Sequence, residues 1–179
     1  MFTLIFKAIW LFMPSYTPNN FAVIAGGGKP IDFGKKFFDG RRILGDGKTF
    51  RGFVGGFFGG VITGILQYKL EELLNFQVFS SLGFDEAIYL FTLLSAGSLF
   101  GDMAGSFVKR RLGFERGKKV PVLDQLDFLV FSIILASFHP SFFVMYSPDI
   151  ILVVLIITPI LHRLTNFIAY LLRLKDVPW

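Results

Sequence analysis

Five apolar stretches, each long enough to cross a lipid bilayer, dominate this chain of 179 residues. They cover about 2–25, 53–70, 87–108, 126–147 and 150–172. A helix needs roughly 20 mostly apolar residues to cross about 30 Å of hydrocarbon. Only 17% of the residues are charged, against about 25% in an ordinary soluble domain. The sequence therefore predicts an all-α polytopic membrane protein with five transmembrane helices, formed by a single domain over 1–179.

The basic residues are distributed unevenly between the two ends of these predicted helices. The segment 29–51 holds seven basic residues and the segment 109–119 holds six. Five spans place both segments on the same side as the C-terminus, and basic residues are enriched in cytoplasmic loops. We therefore predict an external N-terminus, a cytoplasmic C-terminus and two basic cytoplasmic loops. Because topology and attraction to anionic lipids account for the net charge of +5, that charge does not indicate a nucleic-acid partner.

Two residue types that often carry enzyme chemistry are scarce in this sequence. The chain has no cysteine and two histidines, His139 and His162. Disulfides, thiolate nucleophiles and cysteine-bound metals are therefore excluded, and a cage of histidines around a metal is not expected.

The second apolar stretch carries glycines at a helical spacing. Gly52, Gly56, Gly60 and Gly64 are four residues apart, so they share one face of a helix. Small residues at this spacing let helices approach closely in lipid. We predict that this face is a packing surface, either within one chain or between two chains.

Three carboxylates lie at the predicted cytoplasmic ends of the third and fourth spans. Asp102 shares a helical face with Lys109, and Asp124 and Asp127 are three residues apart. A carboxylate embedded in a membrane is costly and usually marks a functional site. Because carboxylate oxygens suit Mg²⁺, we predict that the three aspartates bind this ion. For Asp124, a helix cap is the alternative.

Polar and basic residues near these carboxylates are expected to hold a phosphorylated ligand. The basic ones are Lys48, Arg51, Lys109, Arg110, Lys118 and Lys119. Asn19, in a proline-rich break of the first span, is a candidate contact to a polar ligand, with a simple helix kink as the alternative. The Gly45–Thr49 segment is not a P-loop, because Arg42 stands where that motif requires glycine.

Two stretches of the chain resemble the CDP-archaeol synthase family, the archaeal branch of the membrane CTP-dependent cytidylyltransferases. One extends from Gly26 to Gly52, and the other joins Gly101–Arg110 to Pro121–Asp127. The second is similar to the signature of bacterial phosphatidate cytidylyltransferases, which falls here on Ser106, Lys109, Arg110, Lys118, Pro121, Asp124 and Asp127. The bacterial Pro-Gly-His-Gly-Gly segment is absent, which favours the shorter archaeal form.

The resemblance implies that CTP and 2,3-bis-O-(geranylgeranyl)-sn-glycerol 1-phosphate give CDP-archaeol and pyrophosphate in archaeal phospholipid biosynthesis. The catalytic residues it implies are Asp102, Lys109, Asp124 and Asp127, with Mg²⁺ on the three aspartates and room for a second cation. The implied binding residues are Asn19, Asp46, Lys48, Arg51, Ser106, Arg110 and Lys118. We expect the active site at the cytoplasmic side of the cell membrane, with CTP, the lipid phosphate and membrane lipids as partners, and no nucleic acid or protein partner.

Two other functions fit parts of the sequence. A CTP-dependent isoprenoid-alcohol kinase would use similar groups but release CDP instead of pyrophosphate. A small cation-coupled transporter would use Asp102 to bind its ion, but such transporters are typically built from inverted repeats with paired broken helices. Five unequal spans show no such symmetry.

Overall fold

The computed structural model describes residues 2–115, 118, 120 and 122–171. The helices within these residues are α1 (Phe2–Tyr16), α2 (Pro18–Ala25), α3 (Phe50–Leu74), α4 (Phe84–Arg111), α5 (Leu123–Ala136), α6 (Phe142–Met145) and α7 (Pro148–Leu171). A single 3₁₀ turn, Phe79–Ser81, precedes α4. Over the same ranges the chain forms isolated β-bridges and no β-strand. The prediction of an all-α protein is therefore confirmed.

Among the described residues, two helices, α3 and α4, are long and apolar enough to cross a membrane. A shorter apolar stretch, Pro148–Leu161, lies in α7. The first predicted span is divided into α1 and α2 at Thr17, because Pro18 has no N–H to continue the hydrogen bonding of α1. The number of spans and their orientation stay predictions.

The fourth predicted span, 126–147, is wrong as a continuous helix. The helix α5 ends at Ala136, and its 14 residues span about 21 Å. His139 fixes the turn that follows. Its Nδ1 accepts a hydrogen bond from the Ser141 N–H at 3.1 Å, so Nε2 carries the proton and donates to the Glu86 carbonyl at 3.1 Å. This contact with the start of α4 reverses the chain towards α7.

The hydrophobic core lies at the end of the helix bundle remote from the basic segments. Its fully buried side chains are Leu11, Phe12, Phe79, Leu90, Phe91, Leu94, Leu129, Phe142, Tyr146 and Val154. The helix α4 is central and contacts α1, α2, α3 and α5. Apolar packing therefore dominates that half of the bundle, although the carboxylate of Glu71 is also buried there.

The glycine face of α3 packs closely against neighbouring helices. A Cβ atom at Gly56 would lie 2.7 Å from the Pro18 carbonyl oxygen, and a Cβ atom at Gly60 would lie 2.7 Å from the Pro18 Cγ. A Cβ at Gly64 would collide with the ring of Phe91 in α4. The predicted packing surface is confirmed, and these contacts lie within one chain.

A second glycine face, on α4, brings α5 into backbone contact. A Cβ at Gly97 would lie 2.5 Å from the Ser132 Cα, and one at Gly101 would lie 2.7 Å from the Phe128 Cα. A Cβ at Gly105 would collide with the carboxylate of Asp127. Because side chains cannot fit there, α5 lies directly against α4 and carries its carboxylates to the polar end of that helix.

Replacing Gly97 by alanine should weaken the contact between α4 and α5. We expect Gly97→Ala to destabilise the protein by about 1–3 kcal/mol, since overpacking a tight contact forces the backbones apart. The matched control is Gly83→Ala at the N-cap of α4, where the described part of the chain places nothing within 4 Å of the new Cβ. Thermal unfolding in detergent measures both variants, and equal melting temperatures would contradict this packing.

Candidate active site

Two cavities meet at the polar end of the bundle. The first, of about 350 Å³, lies between α2, the loop that precedes α3, and α4, and we call it the loop cavity. Its polar lining includes Asn19, Asp46, Lys48, Thr49 and Asp102. The second, of about 380 Å³, is lined by α1, α2, α4, α5 and α7, and we call it the interhelical cavity. Its polar lining includes Asn19, Asp102, Asp124 and Asp127, so Asn19 and Asp102 line both cavities.

The turn before α3 directs a lysine to the junction of the cavities. Gly45 permits this turn with a φ of +102°, a value that side chains disfavour. The N–H of Ile31 donates to the Lys48 carbonyl at 2.8 Å, and Thr49 Oγ1 accepts from the Gly52 N–H at 3.1 Å as the N-cap of α3. With the backbone held on both sides, the Lys48 ammonium forms an ion pair with the carboxylate of Asp102.

The first two turns of α5 supply the other two carboxylates. Asp124 forms an ion pair with Lys109 of α4 at 2.7 Å and accepts a hydrogen bond from the Val120 N–H at 2.9 Å. This N–H lies ahead of the helix, and among the described residues the N-cap of α5, Val122, has no side-chain cap hydrogen bond, so the cap alternative for Asp124 is wrong. Asp127 lies against Gly105 and accepts from the Phe128 N–H at 2.6 Å. The four residues predicted as catalytic are thus brought to one end of α4 and α5.

The break between α1 and α2 places Asn19 between the cavities. Its Nδ2 donates to the Ser98 hydroxyl at 3.4 Å. Its Oδ1 is buried, and within the described part of the chain no group donates a hydrogen bond to it. A buried polar atom normally has a partner, so this oxygen is available to a ligand. The break between α1 and α2 shows that the kink is present, and a ligand contact by Asn19 stays a prediction.

The donor set around Asp102 suits Mg²⁺ chemically but does not form a complete cage. Carboxylate and amide oxygens are hard ligands of the kind that Mg²⁺ prefers. Among the described residues, however, no group of three or more acidic or histidine side chains is placed to hold an ion alone. Asp102 and Asp124 face lysines instead. These residues fit an ion that substrate phosphates help to bind, as is common for Mg²⁺.

In the part of the chain that the structure describes, four residues of the implied binding set lie outside both cavities: Arg51, Ser106, Arg110 and Lys118. The predicted catalytic residue Lys109 also lines neither cavity and reaches the interhelical cavity only through its ion pair with Asp124. Arg110 lines a third cavity, of about 470 Å³, and donates to the carbonyls of Leu44 and Phe114. Arg51 is exposed with its Cδ beside Gly28, Ser106 is buried in α4, and Lys118 is exposed. The sequence spacing placed these residues near the site but did not reveal which way they face.

The two basic segments hold each other at this end of the bundle. Arg41 donates to the Arg111 carbonyl at 2.7 Å, and Arg111 forms an ion pair with Asp39 at 2.7 Å. The Arg111 guanidinium also lies 4.8 Å from the centre of the Phe37 ring. Both basic segments therefore lie on the same side of the helices, as five spans would require.

Sequence reasoning missed a buried carboxylate, Asp32, in the first basic segment. Its side chain is shielded from solvent and forms an ion pair with Arg42 at 2.8 Å. Burial alone would raise the pKa of this carboxyl, but hydrogen bonds from Arg42 and from the backbone N–H groups of Gly45, Leu44 and Gly34 lower that pKa well below its usual range. Asp32 is therefore ionised at neutral pH. Its only sequence signal is an acidic residue among many basic ones.

Comparison with known proteins identifies the family. A family model described as CarS-like, CDP-archaeol synthase, matches residues 1–179. A CDP-archaeol synthase from Archaeoglobus fulgidus is 56% identical over 179 residues, which cover 100% of both chains. The chain belongs to the CDP-archaeol synthase family.

Other similarities agree with this assignment to the CDP-archaeol synthase family. A CDP-archaeol synthase from Methanococcoides burtonii is 46% identical over 175 residues, with 93% of this chain and 99% of that protein covered. A solved structure described as an intramembrane enzyme for archaeal membrane lipids biosynthesis matches with a TM-score of 0.75 and 36% identity over 90% of this chain and 94% of its own. Together with the apolar helices α3 and α4, this match identifies a membrane protein.

Proposed function

We propose that this chain transfers the cytidylyl group of CTP to 2,3-bis-O-(geranylgeranyl)-sn-glycerol 1-phosphate, giving CDP-archaeol and pyrophosphate. In this proposal CTP binds in the loop cavity and the lipid phosphate binds in the interhelical cavity. Family membership makes the chain a CTP-dependent cytidylyltransferase of archaeal lipid biosynthesis. The observation that carries the placement of the substrates is that two cavities of different character meet at Asn19 and Asp102.

The loop cavity suits a nucleoside triphosphate. It is bounded by the Gly45–Thr49 turn, whose Lys48 supplies an ammonium group beside Asp102. The side chain of Asp46, on the same turn, lines the cavity and is held by Arg42 at 2.8 Å. A turn of this kind offers backbone N–H groups and a positive charge to phosphate oxygens.

The interhelical cavity suits an amphipathic substrate. Its lining combines apolar side chains of Ile9, Met13 and Leu161 with the carboxylates of Asp124 and Asp127. A lipid phosphate likewise has an apolar part, its chains, which prefer the bilayer, and a charged part, its head group. We propose that the isoprenoid chains extend along the apolar side while the phosphate reaches the junction with the loop cavity.

The reaction requires two phosphates to approach each other. An oxygen of the lipid phosphate attacks the α-phosphorus of CTP, the bond from that phosphorus to the bridging oxygen breaks, and pyrophosphate leaves with the electron pair. The attacking phosphate is already anionic near neutral pH, so no strong general base is needed. The main obstacle is repulsion between anions, which Lys48 and Lys109 are placed to reduce.

A divalent cation would also reduce the repulsion between the two anionic phosphates. Mg²⁺ held by Asp102, Asp124 and Asp127 together with substrate phosphates would supply charge neutralisation and alignment, and a second cation would find further oxygens at Asn19 and the phosphates. In the structure each of Asp102 and Asp124 forms an ion pair with a lysine.

Reconstituted activity tests the proposed function. The purified chain in detergent with CTP, Mg²⁺ and the isoprenoid glycerol phosphate should form CDP-lipid and pyrophosphate in equal amounts, measured by mass spectrometry and a pyrophosphate assay. Both products should disappear with EDTA, and diacyl phosphatidate should be a poorer substrate. Release of CDP with a phosphorylated lipid would instead identify the isoprenoid-alcohol kinase, and no product from folded protein would contradict the proposal.

Removal of one carboxylate charge from the proposed metal site should slow the reaction strongly. We expect Asp102→Asn and Asp127→Asn each to reduce turnover at least about 100-fold, because a lost metal ligand weakens both binding and alignment of the ion. The matched control is Asp85→Asn, in the first turn of α4 at the remote end of the bundle. Turnover is measured as CDP-lipid formed per minute. Full activity in the Asp102→Asn or the Asp127→Asn variant would exclude that residue from the metal site.

We also propose that the basic end of the five-span bundle, and with it the active site, faces the cytoplasm. The chain has no cysteine, so single cysteines report topology without background. We expect Lys36→Cys, in the exposed basic loop, to react with an impermeant maleimide only in inside-out vesicles, and Asn75→Cys, after α3, only in right-side-out vesicles. The reverse pattern would invert the proposed orientation.

A further inference from the structure

We infer that Asp32 and Arg42 are positioning residues, which orient the turn of the loop cavity that holds the triphosphate of CTP. This inference rests on the proposed function, since it concerns the affinity for CTP. Neither residue lines the junction of the two cavities in the part of the chain that the structure describes. Their effect on the reaction must therefore pass through the residues that they hold.

The Asp32 carboxylate is the hub of the loop between α2 and α3. One oxygen accepts from the Gly34 N–H at 3.0 Å and from the Arg42 guanidinium at 2.8 Å. The other accepts from the N–H groups of Leu44 and Gly45 at 3.0 and 2.9 Å. A carboxylate satisfies donors on both oxygens, whereas an amide would present its own N–H groups to the same donors. The site therefore requires an aspartate.

The Arg42 guanidinium extends this hub to the lining of the loop cavity. The same nitrogen, Nη2, lies 2.8 Å from an oxygen of Asp32 and 2.8 Å from an oxygen of Asp46. Asp46 is more exposed and would otherwise sample several rotamers. Because Arg42 is held by Asp32, its contact with Asp46 fixes the Asp46 side chain in the lining of the loop cavity.

Backbone hydrogen bonds connect the Asp32 carboxylate to Lys48. Asp32 holds the N–H of Gly45, and the Gly45 carbonyl accepts from the Lys48 N–H at 3.2 Å. The Lys48 carbonyl in turn accepts from Ile31, the neighbour of Asp32, at 2.8 Å. These hydrogen bonds connect both ends of the turn. The Lys48 ammonium group that pairs with Asp102 is therefore positioned by a series of hydrogen bonds that starts at Asp32.

The same loop contains a matched control. Asp39 also pairs with an arginine, Arg111, at 2.7 Å, but this pair lies at the surface and outside both cavities within the described residues. Asp39→Asn changes the charge of the loop by the same amount as Asp32→Asn. A general effect of loop charge on CTP binding would therefore appear in both variants.

Steady-state kinetics on the full chain in detergent tests the inference. We expect Asp32→Asn to raise the KM for CTP about tenfold while the KM for the lipid phosphate changes less than about twofold, because only the loop cavity loses a preorganised wall. Arg42→Gln should raise the KM for CTP in the same direction. The double variant should be no worse than the poorer single variant, since both act through one network. Asp39→Asn should leave both constants unchanged.

Three results would overturn the inference: an unchanged KM for CTP in Arg42→Gln, equal rises in both KM values, or an equal rise for CTP in Asp39→Asn. If Asp32→Asn does not fold, Arg42→Gln decides alone, because Asp32 then keeps its three backbone donors. Wild-type chain without CTP-dependent product would mean that the proposed function has failed. Active wild type with an unaltered Arg42→Gln variant would mean that only the positioning role has failed.

Discussion

The direct contact between the backbones of α4 and α5 is the constraint on which the site depends. Three glycines of α4, Gly97, Gly101 and Gly105, leave no room for side chains between these helices. Asp102 follows the second of them, and Asp127 lies against the third. Carboxylates from two helices therefore reach one cavity without long side chains or a loop to carry them, which favours a rigid arrangement in an environment where exposed charge is costly.

Around this contact, two of the three carboxylates assigned to the metal are balanced by a lysine. Lys48 balances Asp102 and Lys109 balances Asp124, while two arginines hold the basic segments together through backbone carbonyls and Asp39. Paired charges are tolerated near a membrane far better than isolated ones. The protein can therefore concentrate positive charge for a triphosphate and negative charge for a cation at the same place.

The sequence predicted the helical class and the residues of the junction, because apolar length, glycine spacing and embedded carboxylates are local signals. It did not predict the end of α5 at Ala136, because apolar residues flank the short break 137–141 on both sides; Pro140 and the hydrogen bond from His139 to the Glu86 carbonyl end the helix there. It also did not predict that Arg110 turns towards Leu44, or that Asp32 is buried. Both depend on how a loop without regular structure folds back on a helix, which no periodicity encodes.

The shared boundary of the two cavities has a consequence for how the products leave. In the placement proposed above, pyrophosphate would leave through the loop cavity, by which CTP enters, whereas the activated lipid would be retained by its chains on the interhelical side. The activated lipid keeps the cytidine monophosphate of CTP, so it would obstruct the return of both substrates, whereas pyrophosphate would obstruct the return of CTP alone. In that placement the enzyme would respond to pyrophosphate through the loop cavity alone, and to accumulated activated lipid through both cavities, which share the boundary formed by Asn19 and Asp102.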